Sequence, residues 1–140
     1  MSQMTSYETI YNLALNLVDD PLLAQFPEED LENELHSWML QAIAKLPKLR
    51  SELSDRDDEA KAFNNDLSYV AKMALAMAMK REWLAPQIAS ITLILQRSSK
   101  KEAYNQKDHL AGLMALDSAI DTEIKKLIRD DTYVDSEYFD

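Results

Sequence analysis

His36 and His109, together with the acid pairs Asp19/Asp20, Glu28/Glu29 and Asp57/Asp58, are the residues of this chain with the chemistry for a metal or acid–base site. A helical di-metal centre needs Glu-x-x-His on two helices. The residue three before His36 is Asn33, and the one three before His109 is Gln106, so the pattern fails at both. Glu32 and His36 are four apart and share a helix face, but one carboxylate and one imidazole do not close a site. The chain has no cysteine, which excludes disulfides and thiolate metal sites. Its one glycine, Gly112, cannot build a phosphate-cradling loop. No G-x-S-x-G, H-E-x-x-H or calcium-loop pattern occurs. Adjacent acids at helix starts and in loops are ordinarily solvated faces. The expectation is a protein without catalytic residues, bound metal or cofactor, and not an enzyme.

The elements that would carry these residues are helical. At 140 residues the chain is long enough for one domain with a real core. Strand-rich folds lean on glycine turns, and one glycine argues against them. Apolar residues recur at threes and fours instead. Ile10, Leu13, Ala14, Leu17 and Val18 mark a first helix over 6–18, stopped by Asp19, Asp20 and Pro21. The link 19–30 reads as an ordered loop, because Leu22, Leu23 and Phe26 are too apolar to float. A second helix starts near Pro27, has acids in its first turn and ends at Pro47. Residues 51–66 read as a short helix or an exposed loop. A third helix over 66–84 has only Lys72 as a non-apolar residue between Val70 and Met79, which predicts burial in the middle of a bundle. Pro86 is expected to open a fourth helix. A last helix over 107–129 ends on Lys125, Lys126 and Arg129. The expected fold is all-α: a single-domain bundle of about five helices over residues 1–130, with an extended acidic and aromatic tail over 131–140.

Met73, Met77 and Met79 lie among alanines, which predicts close helix packing more than a binding groove. Trp38, Trp83, Leu84, Pro86 and Ile88 are expected core anchors. Gly112 inside the last helix either marks a close backbone crossing or has no packing role. The net charge of −10 excludes nucleic-acid binding by phosphate neutralisation. No apolar run reaches the length of a membrane span, and no secretory signal opens the chain. Basic residues gather at Lys45, Lys48 and Arg50, at Lys80 and Arg81, and at Arg97, Lys100 and Lys101. A surface positive on one side and negative on the other suits head-to-tail assembly.

The stretch "FNNDLSYVAKMALAMAMKREWLAPQIASITLILQ" resembles the helical head–tail connector (neck, or adaptor) proteins of tailed bacteriophages. The resemblance rests on Phe63, Asp66-Leu67-Ser68, Trp83-Leu84-Ala85-Pro86-Gln87-Ile88, Lys107-Asp108 and a tyrosine-bearing C-terminal segment, and covers about the last eighty residues. The family pattern usually carries acids where this chain has "AKMALAMAMK", and a more basic or neutral tail. The resemblance implies a homo-oligomeric ring of about twelve copies below the portal protein. That ring would extend the DNA channel, let DNA pass without specific binding, and dock a head-closure, stopper or tail-completion protein. The implied location is the virion neck, after assembly in the host cytoplasm. Tyr133, Val134, Asp135, Glu137, Tyr138 and Phe139 would form the partner-docking tail, with aromatics as anchors and acids selecting a basic partner.

A second reading comes from the acid runs Asp19 to Glu34 and Asp55 to Glu59. They fit an acidic helical DNA mimic that inhibits a host DNA-binding protein, with salt-sensitive binding. The aromatic tail has no use in that reading.

Overall fold

The computed structural model describes the backbone of residues 4–97 and 99–139; side chains of residues 100, 102, 103, 105 and 132–139 are outside the description. The chain is all-α. Its helices are α1 (Tyr7–Val18), α2 (Glu28–Ala44), α3 (Arg50–Ser54), α4 (Tyr69–Arg97) and α5 (Lys100–Phe139). Single 3-10 turns span Pro21–Gln25 and Pro47–Leu49. Three two-residue strands, β1 (Thr5–Ser6), β2 (Arg56–Asp57) and β3 (Ala62–Phe63), form a small antiparallel sheet in the order β1-β3-β2.

α4 is the hub, and α1, α2 and α5 each pack against it. Its alanine-rich N-terminal half explains this: Ala71, Ala74, Ala76 and Ala78 are buried beside Leu75 and Met79. Small side chains let neighbouring helices approach, while Leu75, Met79 and Leu84 fill the space between them. α1 presents Tyr7, Ile10, Ala14 and Val18 to this core, and α2 presents Leu35, Trp38, Met39 and Ala42. Each set follows the spacing of one helical face.

The ends of α1 are set by local chemistry. The Ser6 side chain accepts from the Thr9 amide at 3.2 Å, capping the start. Asp19 adopts a left-handed conformation, φ 49°, and its amide donates to the Leu15 carbonyl at 3.0 Å, closing the end. α2 begins after Pro27, with Glu28, Glu29 and Asp30 in its first turn.

Four expectations need correction. Pro86 does not start a helix: α4 runs unbroken through it. Proline removes one N–H from the ladder, but its fixed φ is helical, and the long pairing of α4 with α5 carries the helix on. Pro86 is also exposed, two positions and so more than half a turn round from fully buried Leu84, and it anchors no core. The small sheet was not expected from one glycine. Lys61 takes the left-handed position of the β2–β3 turn, φ 53°. The Asp57 carboxylate holds that turn by accepting from the Glu59 and Ala60 amides at 3.0 and 3.2 Å. Finally, the backbone does not become extended after residue 130: α5 continues to Phe139. Asp130, Asp131 and Asp135 oppose the helix dipole, but no glycine or proline follows Arg129 to stop the helix.

Thr5 ties the sheet to α4. Its hydroxyl donates to the Asn65 carbonyl at 3.1 Å and accepts from the Leu67 amide at 2.9 Å, with Thr5 and Leu67 both buried. Thr5→Val keeps the shape and leaves the Leu67 amide buried without this partner. It is expected to cost about 1–2 kcal/mol in urea unfolding, with an unchanged denaturant slope.

Gly112 meets nothing: a Cβ built there has no neighbour within 4 Å. The close-crossing alternative is therefore not realised within the described chain. Gly112→Ala is expected to stabilise the protein by about 0.5–1 kcal/mol, read as a raised thermal midpoint.

Candidate functional site

His36 and Asp58, two of the residues that first suggested chemistry, are built into the frame. The His36 Nδ1 lies 3.1 Å from the Tyr11 hydroxyl, and the His36 ring centre is 5.7 Å from that of Tyr7. The Tyr7 hydroxyl donates to Asp58 at 2.6 Å. Burial raises the Tyr7 phenol well above its ordinary range, helped by the Asp58 hydrogen bond. Burial, with the charges of Glu32 and Asp58, pushes Tyr11 up to about 12. Phenols held neutral in this way are neither bases nor nucleophiles at ordinary pH. The cluster joins α1, α2 and the β2–β3 turn. Glu32 pairs with Lys61 at 2.6 Å, and His109 stands exposed on α5. Among the described residues no group of three or more His, Cys, Asp or Glu side chains could hold a metal ion.

A large concavity lies elsewhere, between the C-terminal end of α2 and α5, with α4 as its floor. It holds about 900 Å³. Ala78, Ala85, Ala89 and Ile88 give it an apolar base, and Leu46, Pro47, Ile124 and Ile128 form apolar walls. Charges ring it. Arg81 on α4 bridges two carboxylates of α5: its Nε donates to Asp117 at 2.8 Å, its Nη2 to Asp117 at 3.2 Å and its Nη1 to Asp121 at 2.8 Å. Lys125 meets Asp121 at 2.9 Å one turn along. Lys45, at the end of α2, pairs with Glu82, whose carboxylate is almost fully buried. Lys48 and Arg129 complete the rim. The lining carries five cations and three carboxylates, a surplus of two positive charges on a chain of net charge −10.

The three carboxylates are thus already matched by protein cations. The hydrogen bond from Lys125, with the charge of Arg81, holds the Asp121 carboxyl below its ordinary range of 3.8, against a smaller opposing effect of burial. Asp121 binds its proton more weakly in the folded chain than in the unfolded one. Its stabilising contribution is therefore present above the ordinary value and is lost as pH falls through the folded one. Thermal melts taken from about pH 5 to pH 2 should show a shallower acid slope for Asp121→Asn than for the parent chain.

A second, smaller hollow of about 520 Å³ lies against Trp83 and Gln87 of α4 and Trp38 of α2. Its outer wall is the turn 21–26. Leu23 is buried there, while Leu22 and Phe26 stand 63% and 54% exposed, so only one of the three apolar residues of this loop is covered. The turn is held by the Asp20 carboxylate, which accepts from the Leu22 amide at 3.0 Å. Asp19, Asp20, Glu28, Glu29 and Asp30 surround the two exposed side chains in sequence. Sequence reasoning marked these acids and, separately, Lys45, Lys48 and Arg81. It did not join those cations to Lys125 and Arg129, which are more than forty positions further along the chain.

Of the expected anchors, Trp38 is buried, Trp83 and Ile88 are half-buried, and Leu84 is fully buried. Met79 is fully buried, and Met73 and Met77 are half-buried. The side chains of Tyr133, Val134, Asp135, Glu137, Tyr138 and Phe139 lie outside the described residues, on the helical end of α5. Among the described residues, no helix is long and apolar enough to cross a membrane. No family model, curated protein or solved structure matches this chain.

Proposed function

We propose that this chain is a structural subunit of the head–tail connector of a tailed bacteriophage. In this reading many copies form a ring below the portal, extend the DNA channel and dock a head-closure or tail-completion protein. The observation that carries it is the outer half of the α4–α5 pair. The main buried cluster ends at Leu84 on α4 and Ile120 on α5, with Ile88 and Leu113 packed half-buried at its edge. Beyond that edge Ile91 is buried, but Leu93 and Ile94 of α4 and Tyr104 of α5 are exposed on two long helices. By its rise per residue, the 29-residue α4 spans about 44 Å and the 40-residue α5 about 60 Å. Exposed apolar side chains concentrated on such an arm fit a surface that other chains cover. The resemblance that begins at Phe63 and the net charge of −10 support the same reading, because a like-charged channel does not retain DNA. The acidic, aromatic segment at the end of α5 would meet the portal or the closure protein.

Gold labelling of an epitope-tagged chain in purified phage particles tests this. Label at the junction of capsid and tail is expected. Particles that lack the protein, with all of it in the soluble fraction of the lysate, contradict the connector reading.

A further inference from the structure

We infer that the chain binds a second copy of itself head to tail, with the Leu22/Phe26 projection of one copy seated in the α2–α4–α5 groove of the next. This deepens the connector reading, and rests on it for the presence of many copies in one assembly.

Three observations converge. The first is chemical complementarity. The projection offers two exposed apolar side chains flanked by carboxylates, and the groove offers an apolar floor with a surplus of two positive charges. On a chain of net charge −10, most of the surface repels another copy, so a local positive rim selects where an acidic copy lands. Lys48 is exposed on that rim and open to carboxylates from outside; Lys125 and Arg129 are exposed as well, each beside a carboxylate of its own copy, Asp121 at 2.9 Å and Asp130 at 3.7 Å. Arg81 is committed internally to Asp117 and Asp121.

The second observation is placement. Trp83 and Gln87 face the projection, while Ala85 and Ala89 face the groove. The second pair is offset from the first by two residues on α4, or about 200° around the helix. Projection and groove therefore lie on opposite sides of one rigid helix. One copy can use both at once without the two neighbours colliding. That is the arrangement a heterologous, repeating contact needs, and it closes into a ring if the rotation per step allows.

The third is preorganisation. The projection is fixed by the Asp20 cap, by the Phe26 amide donating to the Leu23 carbonyl at 3.3 Å, and by buried Leu23. An anchor held in place before contact loses little freedom on docking. A cleft of about 900 Å³ is large enough to take both side chains.

Complementary charge reversal in the full chain tests the contact. The projection variant carries Glu28→Lys and Glu29→Lys; the groove variant carries Lys48→Glu and Arg129→Glu. All four positions are exposed, and circular dichroism checks that each variant keeps its helix content. Sedimentation velocity should show self-association of the parent chain, weaker at high salt. Each variant alone should associate at least about tenfold more weakly, because like charges then face each other. An equimolar mixture of the two should recover association, since each reversed surface meets its reversed partner. Phe26→Ala, with its charges intact, should weaken association as well. A parent chain that stays monomeric up to its solubility limit overturns the proposal. So does association that persists unchanged in the single variants, or a mixture that fails to recover it. If the variants instead lose only the copurification of a different protein, the groove serves that protein and the proposal is wrong. Gold labelling at the neck in any of these negative cases leaves the connector reading standing. Rescue by the mixture without neck labelling would leave self-association standing alone.

Discussion

Phe63→Ala is expected to destabilise the protein by about 3–5 kcal/mol, the largest single effect in the chain. Phe63 is fully buried in β3, and its ring meets that of Tyr7 edge-on at 5.2 Å. It pairs with Thr5 on one side and Arg56 on the other, so one side chain sits where all three strands cross. Truncation removes the apolar burial and leaves a cavity that α1 cannot close while Tyr7 remains bonded to Asp58. The edge-on ring contact adds a further part of the loss. Urea or thermal unfolding followed by circular dichroism measures it. Phe63→Leu should lose much less, because most of the volume is retained.

Lys45→Met is expected to cost about 2–3 kcal/mol. The Glu82 side chain is only 6% exposed and pairs with Lys45, which is itself 64% exposed. Removing one partner of a buried pair leaves an uncompensated charge, at about 3–5 kcal/mol when both partners are buried. Lys45 reaches its partner from the solvent side, so the figure here is smaller. One result would mark this cause. The double variant Lys45→Met with Glu82→Met should regain most of the stability, because an apolar pair replaces the ion pair. A double variant as unstable as the sum of the single ones would place the effect outside this pair.

The fold was largely legible from pattern. The apolar stripes of α1 and α2 and the nearly all-apolar first half of α4 locate the core, because burial demands that spacing. Ser6 and Asp19 mark the ends of α1 through capping chemistry that acts within a few residues, and Pro27 immediately precedes α2. What was not legible depends on partners distant in sequence. Proline at position 86 carries a stop signal locally, and the pairing with α5 overrides it. The strand at residues 62–63 exists because Thr5 and Arg56 bracket it, and neither proximity is visible in a linear pattern. The groove is harder still. Its cations come from the end of α2, the middle of α4 and the second half of α5, and only the packing angle of the three helices brings them together. The exposed Leu22 and Phe26 read as core residues on hydropathy alone; the structure leaves both uncovered.

The uncovered apolar surface on the arm and on the 21–26 turn is what partner chains would cover in a connector. The most direct test is affinity capture of the tagged full chain from phage-infected cells, with electron microscopy and mass spectrometry of the same eluate. Ring-shaped particles containing many copies of this chain, together with portal-like and tail-completion proteins, are expected. A single host DNA-binding enzyme in the eluate, with no rings and with binding lost at high salt, would contradict the connector reading and favour the DNA-mimic one.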